Sequence, residues 1–350
     1  MNRVITNIQF ESENLQRLNE VVLQDNFQTR VSEVRKTNIT ITQKPTSFEV
    51  NFPNISAGDH LIEPIEEIGG RELDPAAGEE FSKKVAFAGY DESKYRFLAL
   101  EGEAHITSHT LTYHLHNSFI PISKITFYFY TKSQNIERNS KYIKLTEDVT
   151  SESNFDYVID RNQLIEEYSL ENSILFIDGP IIGGNITSYT LQLVESLHSK
   201  NILPIFFVKN SDSDLVINSN PLFKNEYNSD LHWAYSLLKK GQRSSLFKYS
   251  DSYNKNNSKI FYYFKPFSYT TPQRIEFHPE TYVLYKEYFP KIFDLIYYLL
   301  LVHGDKSNPQ IRPIAVSEKY SREIIRMVNI DLLLKNSSLI QTMDQSRFGG

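Results

Sequence analysis

The chain has no cysteine among its 350 residues, which excludes a disulfide framework, a thiolate nucleophile and a zinc–thiolate site. Long apolar runs are missing too. The longest candidate, Ile292 to Val302, is interrupted by Asp294 and is too short to span a bilayer, so no membrane association is expected. The N-terminus, Met1-Asn2-Arg3-Val4, lacks the apolar core of a signal peptide, and a cytoplasmic location is the expectation. Net positive charge is also absent: the formal charge is -6, whereas polyanion binders usually present a basic surface. The deficit is local, however. Between Asp59 and Glu80 eight acidic residues face Arg71 alone, a segment of -7 that leaves +1 for the remainder, so the body is nearly neutral and free to present a basic groove.

Apolar residues at 40% and aromatics at 13% are enough for a substantial core in one large domain or two of ordinary size. Residues 10–36 carry apolar positions at helical spacing (Leu15, Leu18, Val21, Val22, Phe27, Val31, Val34), and 37–52 alternate weakly as strands do. The acidic stretch 53–80 reads as an excursion from the core. Strand-like runs follow at 84–93, 95–101, 104–115 and 124–131, then a polar connector over 132–154. The pattern turns helical over 158–170, gives a strand at Ile174–Ile177, a helix over 189–199 and a buried strand at Leu203–Val208. Helices over 230–239, 282–303 and 318–334, with strands at 259–267 and 274–277, complete the body. Successive hairpin-connected strands followed by βαβ alternation predict an α/β fold, a ribonuclease H-like mixed sheet flanked by helices, with an N-terminal helical extension. The expected division is 1–80 as a helical and acidic extension, 81–335 as the main domain and 336–350 as a polar tail.

The most informative stretch is Ser173–Gly184. Its apolar run stops at Asp178-Gly179-Pro180, which places the Asp178 carboxylate at a strand's C-terminal end, at the edge of a cleft. A second strand carries Asp91, and the helix between them offers Glu166 and Glu167. Adjacent helical residues point about 100° apart, so only one of that pair can face a cleft. Such an all-oxygen cluster suits Mn2+ or Mg2+. Two ions roughly 4 Å apart activate water and stabilise both oxygens of a phosphodiester displacement.

Four local patterns, in order, resemble the NurA nucleases. Gly89-Tyr90-Asp91-Glu92-Ser93 is similar to the family's Val-Asp-Gly-Ser strand end. Arg161 to Glu166, followed by Ile177-Asp178-Gly179-Pro180, is similar to its Arg-x-x-x-x-Glu helix and Leu-Asp-Gly-Ser strand. Leu237 to Phe247 matches Leu-Leu-x-x-Gly-x-Arg-Ser-x-x-Phe, and Arg274-Ile275-Glu276 matches a later strand. The resemblance covers roughly residues 80–334 and implies metal-dependent DNA cleavage. It further implies Asp91, Glu166 and Asp178 as catalytic metal ligands, with Glu167 the reserve for Glu166, a homodimer, and a HerA-like hexameric ATPase as partner. The departures are Glu92-Ser93 and Pro180 in place of Gly-Ser and Ser, and a C-terminal element, Pro313 to Glu318, without the family's histidine. Glu318, His303 and His278 are the alternatives for its role. A non-catalytic adaptor that keeps the fold and the partner surface is the second functional reading.

Among basic residues, Arg243, Lys240 and Arg274 are the candidates for DNA contact, with carbonyl capping as the alternative for Arg243. His105, His109, His114 and His116 read as packing or surface residues, and Phe261 to Phe264 as core rather than a base-stacking platform.

Overall fold

The structure, a computed structural model, describes residues 55–327 apart from 58–59, 100, 116–117, 135–140, 210, 212, 221–222, 224, 252–253, 255–256 and 304–308. The expected N-terminal helices, the strands of 37–52 and the tail 336–350 lie outside the described residues.

The elements run β1 (Ile55–Ala57), β2 (His60–Pro64), β3 (Arg71–Glu72), α1 (Pro75–Ser82), β4 (Ala86–Leu98), β5 (Glu103–Leu115), β6 (Ser118–Thr131) and β7 (Ile143–Leu145). They continue with α2 (Val149–Tyr168), β8 (Ser173–Asp178), α3 (Thr187–Ser199), β9 (Leu203–Val208), α4 (Leu215–Ser219) and α5 (Asp230–Leu237). The last are β10 (Gln242–Arg243), β11 (Phe247–Asp251), β12 (Ser258–Lys265), β13 (Gln273–Phe277), α6 (Pro279–Leu284), α7 (Phe289–His303) and α8 (Arg312–Met327).

One mixed sheet runs β1-β2-β11-β12-β13-β9-β8-β4-β5-β6-β7, with β10 pairing β12 and β3. Within it β6-β5-β4-β8-β9 is the ribonuclease H-like core. Strands β4, β5 and β6 are antiparallel neighbours, while β8 joins β4 and β9 joins β8 in parallel. The central strands are apolar without alternation because both of their faces are covered, as parallel strands require. Side chains alternate across a strand, so parity sorts them. Phe87, Ile174, Phe176, Leu203, Ile205 and Phe207 join the core under α7, whereas Ala88, Tyr90, Leu175, Ile177 and Phe206 join the core under α2 and α3.

Several elements differ from the sequence reading. The runs 84–93 and 95–101 are one continuous strand, β4, and α2 begins inside the polar connector at Val149, capped by the Asp148 side chain. Helix α8 begins at Arg312, six residues before the helix expected over 318–334. The acidic stretch is not a detached excursion: β2 pairs with β11, β3 pairs with β10, and the Asp74 amide is tied to Asp294 of α7. Among the described residues no helix is long and apolar enough to cross a membrane.

Candidate active site

The parity that builds the α7 core also builds the site. Along β4 the residues on that face are Phe87, Gly89 and Asp91; beyond Ile174 and Phe176 of β8 comes Asp178; beyond Phe207 of β9 comes Lys209. This face is roofed by α8, which buries Ile314, Ser317 and Ser321 at helical spacing and leaves Glu318 beside the strand ends. Ser317 Oγ donates to the Gly89 carbonyl at 2.8 Å, and the Ser321 and Ser93 hydroxyls lie 2.9 Å apart. Gly89 is what permits this approach. A Cβ there would lie inside contact distance of the Pro313 carbonyl and 2.6 Å from Ile314 N.

Lys209 Nζ sits 3.1 Å from Asp178 Oδ2, 3.5 Å from Asp91 Oδ2 and 3.8 Å from Glu318 Oε2. Gln310, with its amide oriented to satisfy both neighbours, accepts from Lys209 Nζ at 2.8 Å and donates to Glu318 Oε2 at 3.0 Å. Asp91 Oδ1 accepts from the Glu92 amide at 2.7 Å. Asp91 Oδ2 and Asp178 Oδ1 are buried without a hydrogen bond. Burial, then the neighbouring Asp178 charge, raises the Asp91 carboxyl well above the usual carboxylate range. Burial raises Asp178 as well, with Lys209 pulling against it. For Lys209 burial disfavours the ammonium, but Asp178, Asp91 and Glu318 more than offset it and raise its pKa.

The loops that present Asp178 and Lys209 are held from behind. Gly179, at φ +103°, turns the chain where a side chain would be strained, and its amide donates to the Phe207 carbonyl at 2.8 Å. Two residues on, the Ile181 amide donates to Glu276 Oε2 at 3.1 Å. Glu276 is fully buried, 2.6 Å from Lys259 Nζ and 2.8 Å from Arg274 Nε. Burial works against its charge, yet Lys259 and Arg274 hold its pKa below the ordinary value. Arg274 also bonds Ser211, in the loop after β9. Charge compensation inside the sheet therefore fixes both loops.

Of the ligands named from sequence, the structure brings together Asp91 and Asp178 but not Glu166. Helix α2 packs on the opposite face of the sheet from α8, through Leu164 and Ile165. The Glu166 carbonyl accepts from Lys200, which precedes β9, whereas Lys209 follows it; the six residues of β9 alone span about 20 Å. Glu167 lines a surface pocket with Glu166. The member contributed by α8 is Glu318, one of the alternatives for the role of the expected histidine. His278 instead caps α6 through the Glu280 amide, and His303 ends α7. Lys209 and Gln310 were missed by sequence reasoning.

The basic candidates are placed differently as well. Arg243 is buried, paired with Glu66 and 4.4 Å above the Phe293 ring, and Arg274 is committed to Glu276; neither is free for a phosphate. Lys240 is exposed in the turn before β10. His109 packs in the core, its Nδ1 2.7 Å from the Tyr90 hydroxyl, and burial pushes its pKa down to about 3.

Chemically, the cluster is a set of hard oxygen donors with one ammonium among them, two of its oxygens left unpaired. The donor type fits a divalent metal ion. As the side chains stand, though, no group of three or more His, Asp or Glu among the described residues is arranged to hold one. Lys209 lies where the carboxylates converge.

The NurA domain model matches residues 93–322. No curated protein matches the chain. Among solved structures the chain is similar to the NurA nuclease from Sulfolobus solfataricus, at 8% identity and TM-score 0.48, over 93% of this chain and 98% of that one. It is also similar to Ciona intestinalis endonuclease V in complex with an inosine-containing DNA, at 12% identity and TM-score 0.35, over 73% and 97% of the two chains. For A. aeolicus Argonaute the values are 11% and 0.30, over 69% and 28%.

Proposed function

Because the chain belongs to the NurA family, a family of nucleases, we propose that it hydrolyses DNA phosphodiester bonds with Mn2+ or Mg2+ held by Asp91 and Asp178. The observation that carries this reading is the pair of buried carboxylate oxygens without a hydrogen bond, Asp91 Oδ2 and Asp178 Oδ1. Buried acceptors without a hydrogen bond are costly, and Lys209, 3.5 Å from Asp91 Oδ2, compensates them only in part; a divalent cation would supply the rest. When bound, divalent ions supply Lewis-acid stabilisation of the phosphate and activation of water. The chain's own groups bind and orient. Asp91 and Asp178 stand on neighbouring parallel strands, Glu318 reaches in from α8, and Gln310 fixes the Glu318 carboxylate. By family resemblance the working form is a homodimer served by a HerA-like hexameric ATPase, in DNA end processing or defence against foreign DNA.

The test is cleavage of linear DNA with Mn2+, with and without the ATPase. Asp178→Ala and Glu318→Gln lose about 100-fold or more in rate, the scale of a lost transition-state contact, while Glu166→Gln retains wild-type rates. Absence of metal-dependent cleavage in every combination sinks the nuclease reading; equal cleavage by Asp178→Ala sinks the site.

A second reading, an adaptor that binds the ATPase and DNA without efficient cleavage, is favoured by two features: Lys209 among the carboxylates and the missing C-terminal histidine. It predicts ATPase binding without DNA turnover in the same assay.

A further inference from the structure

The carboxylates already hold one cation. Lys209 Nζ is within 3.8 Å of Asp178, Asp91 and Glu318 and hydrogen-bonds Asp178 and Gln310. It sets one ammonium among three carboxyl groups, and it leaves Asp91 Oδ2 and Asp178 Oδ1 without hydrogen bonds. The Lys209 side chain is 35% exposed, so it lies at the mouth of the site and not behind it. Its stem is flexible and its head is a compact point charge able to swing without repacking a core.

We propose that Lys209 is the resident counter-ion of this carboxylate cage: its ammonium holds Asp91, Asp178 and Glu318 together in the metal-free protein, and a divalent cation must displace it to reach the same oxygens. The proposal rests on the metal reading above and adds a competition to it. A displaced Lys209 stays tethered to the end of β9, at the open side of the site, where its charge faces an incoming phosphate. Metal entry and the presentation of a cation to the substrate are then one event. Lys209 acts on metal binding through the carboxylates, as a positioning residue.

The experiment is a Mn2+ titration followed by electron paramagnetic resonance on the full chain without DNA, with thermal unfolding in EDTA and in Mn2+. Wild type is compared with Lys209→Met, Lys209→Gln, Lys209→Arg and Asp178→Asn. Both neutral variants bind Mn2+ about tenfold tighter or better, because a charge opposing the ion is gone. Their melting temperatures fall in EDTA and recover in Mn2+, and Lys209→Arg behaves as wild type in both respects. Lys209→Gln keeps a hydrogen-bonding group and secures the reading should Lys209→Met not fold. Unchanged or weaker Mn2+ binding in the neutral variants, with binding abolished in Asp178→Asn, overturns the competition and leaves the metal reading intact. No Mn2+ binding in any variant overturns both.

Discussion

Placing a methyl on Gly89 tests how α8 holds Glu318 in place. In Gly89→Ala the new Cβ lies 2.6 Å from Ile314 N and closer still to the Pro313 carbonyl, and ordinary contact begins at 3.4 Å, so α8 has to retreat from β4 by at least about 0.8 Å. The obstacle is helix backbone, which cannot step aside as a side-chain tip does. The same retreat stretches the 2.8 Å bond from Ser317 Oγ to the Gly89 carbonyl to about 3.6 Å, beyond hydrogen-bonding length. Overpacking of this kind costs about 1–3 kcal/mol and a lost hydrogen bond about 1, giving roughly 2–4 kcal/mol of lost stability. Glu318 follows Ser317 and moves with the helix, and a misplacement near 1 Å costs on the order of 100-fold in rate. Urea unfolding reads the first effect. Mn2+-dependent cleavage at a temperature where the variant is still folded reads the second. Stability within about 0.5 kcal/mol of wild type together with an undiminished cleavage rate would refute the claim that close β4–α8 approach positions the site.

Three further outcomes follow from buried charges. Glu276→Ala strands Lys259 and Arg274 in the sheet and lowers stability by about 3–5 kcal/mol in urea unfolding; removing Lys259 as well in a Glu276→Met/Lys259→Met variant recovers part of that loss. Arg243→Ala costs roughly 3 kcal/mol of stability and leaves the salt dependence of DNA binding unchanged, since Arg243 is paired with Glu66 and not with phosphate. His109 is held neutral by burial, with a folded pKa of about 3. A depressed histidine contributes stability that is fully present above the unfolded value near 6.5 and is lost as pH falls below it, amounting to about 2–3 kcal/mol at pH 4.5. Three half-buried histidines share the direction, so the measurement is the difference: His109→Gln flattens the slope of unfolding free energy against pH between 7 and 4.5 by close to one proton.

What could be read from the sequence was the strand end. An apolar run broken by Asp-Gly-Pro identifies Asp178, and similar logic finds Asp91. The same rule applied to Leu203–Val208 points to Lys209, the polar residue directly after a buried strand, although a lysine there is not itself a metal-ligand signal. Glu166 lies on the helix between the two aspartates and in the Arg161 to Glu166 pattern, yet chain order does not say which face of a sheet a helix covers. The partners of Arg243 and Arg274 were hidden for another reason. Arg243 meets Glu66 across 177 positions, so a basic residue that looked available for phosphate is already neutralised by the acidic segment that looked detached.

The site draws its members from four places along the chain, Asp91, Asp178, Lys209 and Glu318, and the last of them comes late. At roughly 5–20 residues per second, the 109 positions separating Lys209 from Glu318 take about 5–20 s to synthesise. Through that interval the growing polypeptide owns both aspartates and the lysine but has no roof over them. The protein is thereby timed: its complete set of acidic groups comes into being only once translation has passed α8.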